Sequence, residues 1–166
     1  PCTQRENMQV IRAMCQDYAD RYPHADTQDL LLMGPSGLGK TFLMHAMARR
    51  LLERGFNVLL VSAYRYLDVA RKAYFGGSSE ALDSLMATDV LLLDDLGSEP
   101  LMENITIVQL FNLINERRAA GRGTVYSTNL NECELRARYT ERIASRLTDK
   151  RCCDLLLFRG EDVRRL

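Results

Sequence analysis

A chain of 166 residues with 46% hydrophobic and 27% charged side chains is long enough for one domain with its own core. Lysine plus arginine and aspartate plus glutamate number 22 each, so no net field draws in nucleic acid and any such binding must use a local patch. The apolar runs are far shorter than a membrane span, and the N-terminus shows no signal-peptide pattern. Five cysteines, without a C-x-x-C pair, fit free thiols in a reducing cytoplasm. His24 and His45 are isolated and lack metal-ligand spacing.

In chain order, Thr3-Gln-Arg-Glu6 reads as a capping box. Met8, Ile11, Met14, Cys15, Tyr18 and Tyr22 then recur at helical spacing until Pro23. A polar connection leads into a strand at Leu30–Met33. After a glycine-rich loop, Phe42, Leu43, Ala46, Met47, Leu51 and Leu52 mark the buried side of a helix that Gly55 caps. Val58–Ser62 reads as a second buried strand and Tyr64–Phe75 as a helix, broken at Gly76–Ser79; a short helix follows to Ala87. Val90–Asp95 is a third strand, 105–120 a helix stopped by Gly121, and Thr124–Asn129 a fourth strand. Asn131-x-x-Glu134 resembles another N-cap with a short helix after it. Thr140 can cap the next helix, to about Leu147. Asp154–Phe158 is a fifth strand, and the tail begins at Gly160. Short apolar strands alternating with helices predict an α/β fold, a parallel sheet covered on both faces. No linker or repeat divides residues 1–166, so the chain reads as one domain: an N-terminal helix and linker over 1–26, then a core over 27–166.

Gly34-Pro35-Ser36-Gly37-Leu38-Gly39-Lys40-Thr41 matches the phosphate-loop pattern G-x-x-x-x-G-K-[ST], with the strand before it and the helix after it that the motif requires. Glycine lets the backbone turn tightly and aim its N–H groups at an anion. The helix N-terminus adds partial positive charge. In this pattern Lys40 reaches the β- and γ-phosphates of ATP, and Thr41 offers its hydroxyl to Mg²⁺; Phe42 closes the candidate binding segment. Asp94 and Asp95 end an apolar strand at its C-terminal end, where open α/β sheets bind ligands. Asp94 is placed to hold Mg²⁺ through water, and Asp95 to orient or deprotonate an attacking water. The bland alternative is a solvated turn after the strand. Asn129 ends the fourth strand, as a γ-phosphate or water contact or as a turn residue.

With these residues in place, the chain resembles the ATPase domain of bacterial replicative helicase loaders of the DnaC/DnaI type, members of the AAA+ class of P-loop NTPases. The matching stretches are Arg5–Met8, Gly34–Leu43, Leu91–Gly97, Leu110–Arg117, Ser127–Leu130, Tyr139–Leu147 and Phe158–Arg164. The resemblance extends to transposition ATPases of the IstB type. It implies a five-stranded sheet of order 5-1-4-3-2, which makes Asn129 the sensor of the γ-phosphate. It implies that Arg146 is an arginine finger acting in trans on a neighbouring subunit's ATP, with Arg142 as runner-up. It places single-stranded DNA contacts on the segment Tyr64–Gly77, through Arg65, Tyr66, Arg71, Lys72, Tyr74 and Phe75, where packing by the aromatics is the alternative. It implies self-assembly and a replicative DNA helicase as partner, and slow hydrolysis of ATP to ADP. The chain departs from the wider AAA+ pattern in carrying Asp95 in place of glutamate. It also stops soon after the fifth strand, so neither a helical lid nor the family's helicase-binding N-terminal domain is expected within it; Arg164 is a weak substitute for the lid's arginine.

Overall fold

The computed structural model describes residues 3–102 and 105–162. Arg164 lies outside the described residues. The elements, in chain order, are α1 (Gln4–Arg21), β1 (Asp29–Met33), α2 (Lys40–Glu53), β2 (Val58–Ser62), α3 (Ala63–Tyr74), α4 (Glu80–Ala87), β3 (Val90–Leu96), α5 (Thr106–Ala119), β4 (Gly123–Thr128), α6 (Glu132–Leu147) and β5 (Cys153–Leu157). The five strands pair in parallel in the order β2-β3-β4-β1-β5, which is the expected 5-1-4-3-2.

Alternation along each strand divides the core in two. Leu30, Leu32, Leu92 and Val125 face α1 and α2 and pack with Ile11, Tyr18, Met44, Met47 and Leu51. Leu31, Leu91, Leu93 and Tyr126 face the other way, against α3 to α6. Each leucine buried in this way contributes about 1.5–3 kcal/mol. Because β2 is an edge strand, Val58–Ser62 is only half-buried, and Leu59 is exposed, contrary to the buried strand expected there. The stripe on α2 also turns: Met44 is fully buried, while Phe42 and Leu52 face solvent.

The capping boxes at Thr3/Glu6 and Asn131/Glu134 both form. Thr140 interrupts α6 with φ 71° and ψ 157°, at the position where the sequence places a new helix start. The start of α1 is tied to the chain beyond β5. The Asn7 amide donates to Leu157 O at 3.0 Å and accepts from Arg159 N at 3.1 Å, and Gln4 pairs with the backbone of Glu161.

The N-terminal end of the sheet is closed by two arginines on α5. Arg118 meets the buried Asp29 carboxylate at 2.6 Å, and that carboxylate also accepts from Thr124 N. Arg117 is 1% exposed and, among the described residues, reaches only neutral acceptors: the carbonyls of Leu85, Met86, Thr88, Asp89 and Gly123, and Thr124 Oγ1.

Candidate nucleotide-binding site

The opposite, C-terminal end of the sheet carries a cleft of about 370 Å³ lined by Ser36, Gly37, Gly39, Lys40, Thr41, Asp94, Asp95, Ser127 and Asn129. It lies where β1, β3 and β4 end side by side. Crossovers to both faces leave this edge open, so the strand order itself builds the crevice.

The loop after β1 needs its glycines. Gly34 sits at φ 150°, and a Cβ there would come 2.5 Å from Phe158 O. Gly39 caps α2 at φ 86°, a left-handed conformation that turns the chain into the helix without a side-chain cap. Lys40 opens α2 and is 7% exposed. Its ammonium donates to Gly34 O (2.6 Å), Pro35 O (2.8 Å) and Asn129 Oδ1 (2.7 Å). Loss of water around it lowers its pKa below the usual lysine value, against the pull of Asp95 and Asp94. The Asn129 amide turns its other end to Asp95 and donates from Nδ2 to Oδ1 at 3.0 Å. Thr41 Oγ1 donates to Asp94 Oδ2 at 3.0 Å. Lys40, Thr41, Asp94, Asp95 and Asn129, from three separate stretches, thus form one connected polar cluster.

Not every expected residue joins it. Leu38 is buried in the core beneath the loop, and Phe42 points outward beside α1. Arg146 and Arg142 do not line the cleft; their guanidinium carbons lie 4.6 and 4.1 Å from the centre of the Phe111 ring. Arg146 Nε also donates to Asn115 Oδ1 at 2.9 Å. On α3, Tyr66 is a correction. It is 2% exposed and its hydroxyl donates to Gln109 O, so it packs under α5 and has no face for a base. Arg65 is exposed, and the Tyr74 and Phe75 rings are exposed and meet edge to face at 5.3 Å. Arg65, Arg71 and Lys72 all pair with Asp68.

Two features were missed in the sequence. Ser127, beneath the two acids, touches both. Glu99, 2% exposed, accepts from Gly97 N and from the Tyr139 hydroxyl, and so ties the loop after β3 to the residue before the α6 kink. Neither has a pattern signal, because a serine in a buried strand and a glutamate in a loop are ordinary on their own.

The model of the IstB-like ATP binding proteins matches residues 14–164, nearly the whole chain. The chain belongs to this family. A putative ATP-binding protein of insertion sequence IS1162 from Pseudomonas fluorescens is 36% identical over 103 residues, 61% of this chain and 44% of that protein. The replicative helicase loader DnaI of Bacillus subtilis is 27% identical over 112 residues, 67% of this chain and 36% of DnaI. The chain therefore spans less than half the length of either relative. Among solved structures, the DnaC helicase loader superposes with a TM-score of 0.77 at 21% identity, over 93% of this chain and 89% of that one. The fold is accordingly the AAA+ P-loop fold, and membership of an ATP-binding family agrees with the cleft.

Proposed function

We propose that this chain is an ATP- and Mg²⁺-dependent ATPase that uses nucleotide to control self-assembly and its grip on single-stranded DNA while loading a replicative helicase. The observation that carries the reading is the cluster joining Lys40, Asn129, Asp95, Thr41 and Asp94 at the open end of the sheet. The loop backbone and the α2 N-terminus suit a polyphosphate, and the Lys40 ammonium supplies full charge to it. Thr41 Oγ1 and the Asp94 carboxylate are hard oxygen donors 3.0 Å apart, suited to Mg²⁺. Among the described residues, no group of three or more His, Cys, Asp or Glu could hold a metal alone. Mg²⁺ commonly takes one or two protein ligands and completes its shell from phosphate and water. When bound, Mg²⁺ neutralises charge on the phosphates.

Asp95 is the base for the attacking water. The Asn129 amide holds one of its oxygens and leaves the other for that water. Arg146 serves a neighbouring subunit's nucleotide. Its position outside its own cleft, stacked on Phe111, supports that role, as does the family resemblance. Arg65, Tyr74 and Phe75 are the surface offered to single-stranded DNA: a cation to attract the backbone and two open rings to stack bases.

A second reading, an ATPase that remodels a transposase–DNA complex, is favoured by the 36% match to an insertion-sequence protein. Phosphate release measured with single-stranded DNA, and with a helicase or a transposase added, separates them. Stimulation by DNA and helicase supports loading. Stimulation by transposase alone favours the second reading, and indifference to every addition overturns both.

A further inference from the structure

Ser127 occupies the point where the β3–β4 ladder slips. Leu93 pairs with Tyr126 and Leu96 with Thr128, so Asp94 and Asp95 together face the single residue Ser127. This is a bulge, and the extra residue of a bulge loses its ladder partner. Asp95 takes φ 57°, in the left-handed region that non-glycine residues seldom adopt. Its amide N–H is satisfied by Ser127 Oγ at 2.8 Å. The same hydroxyl, 1% exposed as a residue, spends its only proton on Asp94 Oδ1 at 2.5 Å. Asp94 Oδ2 is thereby turned to Thr41.

We infer that Ser127 is a positioning residue whose one hydroxyl sets both acids of the site: the carboxylate of Asp94 by donation and the backbone of Asp95 by acceptance. The inference rests on the nucleotide reading of the cleft. A hydroxyl has the donor and acceptor capacity the position needs, and alanine has neither. Without it, the Asp94 carboxylate is free to rotate away from Thr41, and the left-handed Asp95 has an unpaired amide. Partners that orient metal ligands commonly control metal affinity by about ten- to a hundredfold.

The test is binding of a fluorescent ATP analogue to the chain, first in EDTA and then titrated with Mg²⁺, for wild type, Ser127→Ala and Ser127→Thr. In EDTA, Ser127→Ala binds within about twofold of wild type, while its Mg²⁺ midpoint rises on the order of tenfold. Ser127→Thr, which keeps the hydroxyl, returns the midpoint to near wild type. If Ser127→Ala melts below the assay temperature, Ser127→Cys, with similar volume and a weak donor, carries the same expectation. An unmoved Mg²⁺ midpoint in the alanine variant overturns the assignment. So does an equal loss of affinity with and without Mg²⁺, or a threonine variant no better than alanine. Absence of any binding by wild type, with or without Mg²⁺, would instead sink the nucleotide reading.

Discussion

Removing Arg117 should cost the domain stability without touching the candidate site. The five N–H groups of its guanidinium serve six acceptors, five of them backbone carbonyls at the C-terminus of α4 and the start of β3 and β4. Burial pushes its pKa down, so the cation is held at a desolvation cost that the carbonyls offset. Hydrogen bonds to charged groups contribute about 1.5–3 kcal/mol each, but they are not additive, and part of the total offsets desolvation. Removing one partner of a buried charged arrangement typically costs about 3–5 kcal/mol. Arg117→Ala adds a cavity, so a loss of about 4 kcal/mol is expected. In a domain of this size that is a fall in Tm of roughly 10 °C. Arg117→Met fills the space and removes the charge, yet leaves the carbonyls without donors; it should still lose about 2 kcal/mol or more. Thermal unfolding followed by circular dichroism measures both. The α5–sheet junction lies at the end of the sheet opposite the cleft, so ATP-analogue affinity below the melting range should not change. A methionine variant as stable as wild type would show that desolvation of the cation outweighs carbonyl satisfaction, and would refute the reasoning.

Arg146→Ala should abolish turnover while leaving nucleotide affinity near wild type. Mixing it with Lys40→Ala subunits should restore part of the activity, because each supplies what the other lacks; equal loss of binding, or surviving turnover, would contradict action in trans. Burial pushes the Cys15 thiol up to about 12 and the Cys153 thiol higher still, whereas Cys133 is exposed. A thiol reagent at pH 8 should therefore modify Cys133 in the folded protein and reach Cys15 and Cys153 only in denaturant, as read by mass spectrometry. The lowered pKa of Lys40 makes its charge vulnerable at alkaline pH. The group is depressed in the fold, so stability from this lysine declines as pH falls through its folded value, while anion binding needs the protonated form. ATP-analogue affinity should weaken as pH rises toward the free-lysine value of 10.5, and a Lys40→Arg variant should flatten that profile.

The sheet was legible because parallel strands buried on both faces read as short apolar runs, and because the phosphate loop names the first of them. Capping residues placed the starts of α1 and α6, where the Thr3 and Asn131 side chains accept from the backbone, and Thr140 stands at the break in α6. Burial was read less well. On α3 the buried positions Ala63, Tyr66, Leu67 and Ala70 follow the helical period, which separates Tyr66 from Tyr74 and Phe75. The family resemblance grouped all three rings with the neighbouring cations, with packing as the alternative, and the packing alternative holds for Tyr66. Arg117 lies on the same stripe of α5 as Leu110, Leu113 and Ile114, yet a charged side chain on a helix carries no sequence signal of burial. Ser127 was hidden for a different reason: a bulge depends on the pairing register between two strands, and neither strand's own sequence encodes it.

The central claim is that the Lys40 cleft binds Mg²⁺-ATP. Isothermal titration of Mg²⁺-ATP into the wild-type chain and into Lys40→Ala tests it directly. The account predicts saturable binding at one site per chain in wild type and a loss of at least about tenfold in the variant, the effect of removing a charge-assisted contact to phosphate. Equal affinity in the two proteins, or no binding to wild type, would contradict it.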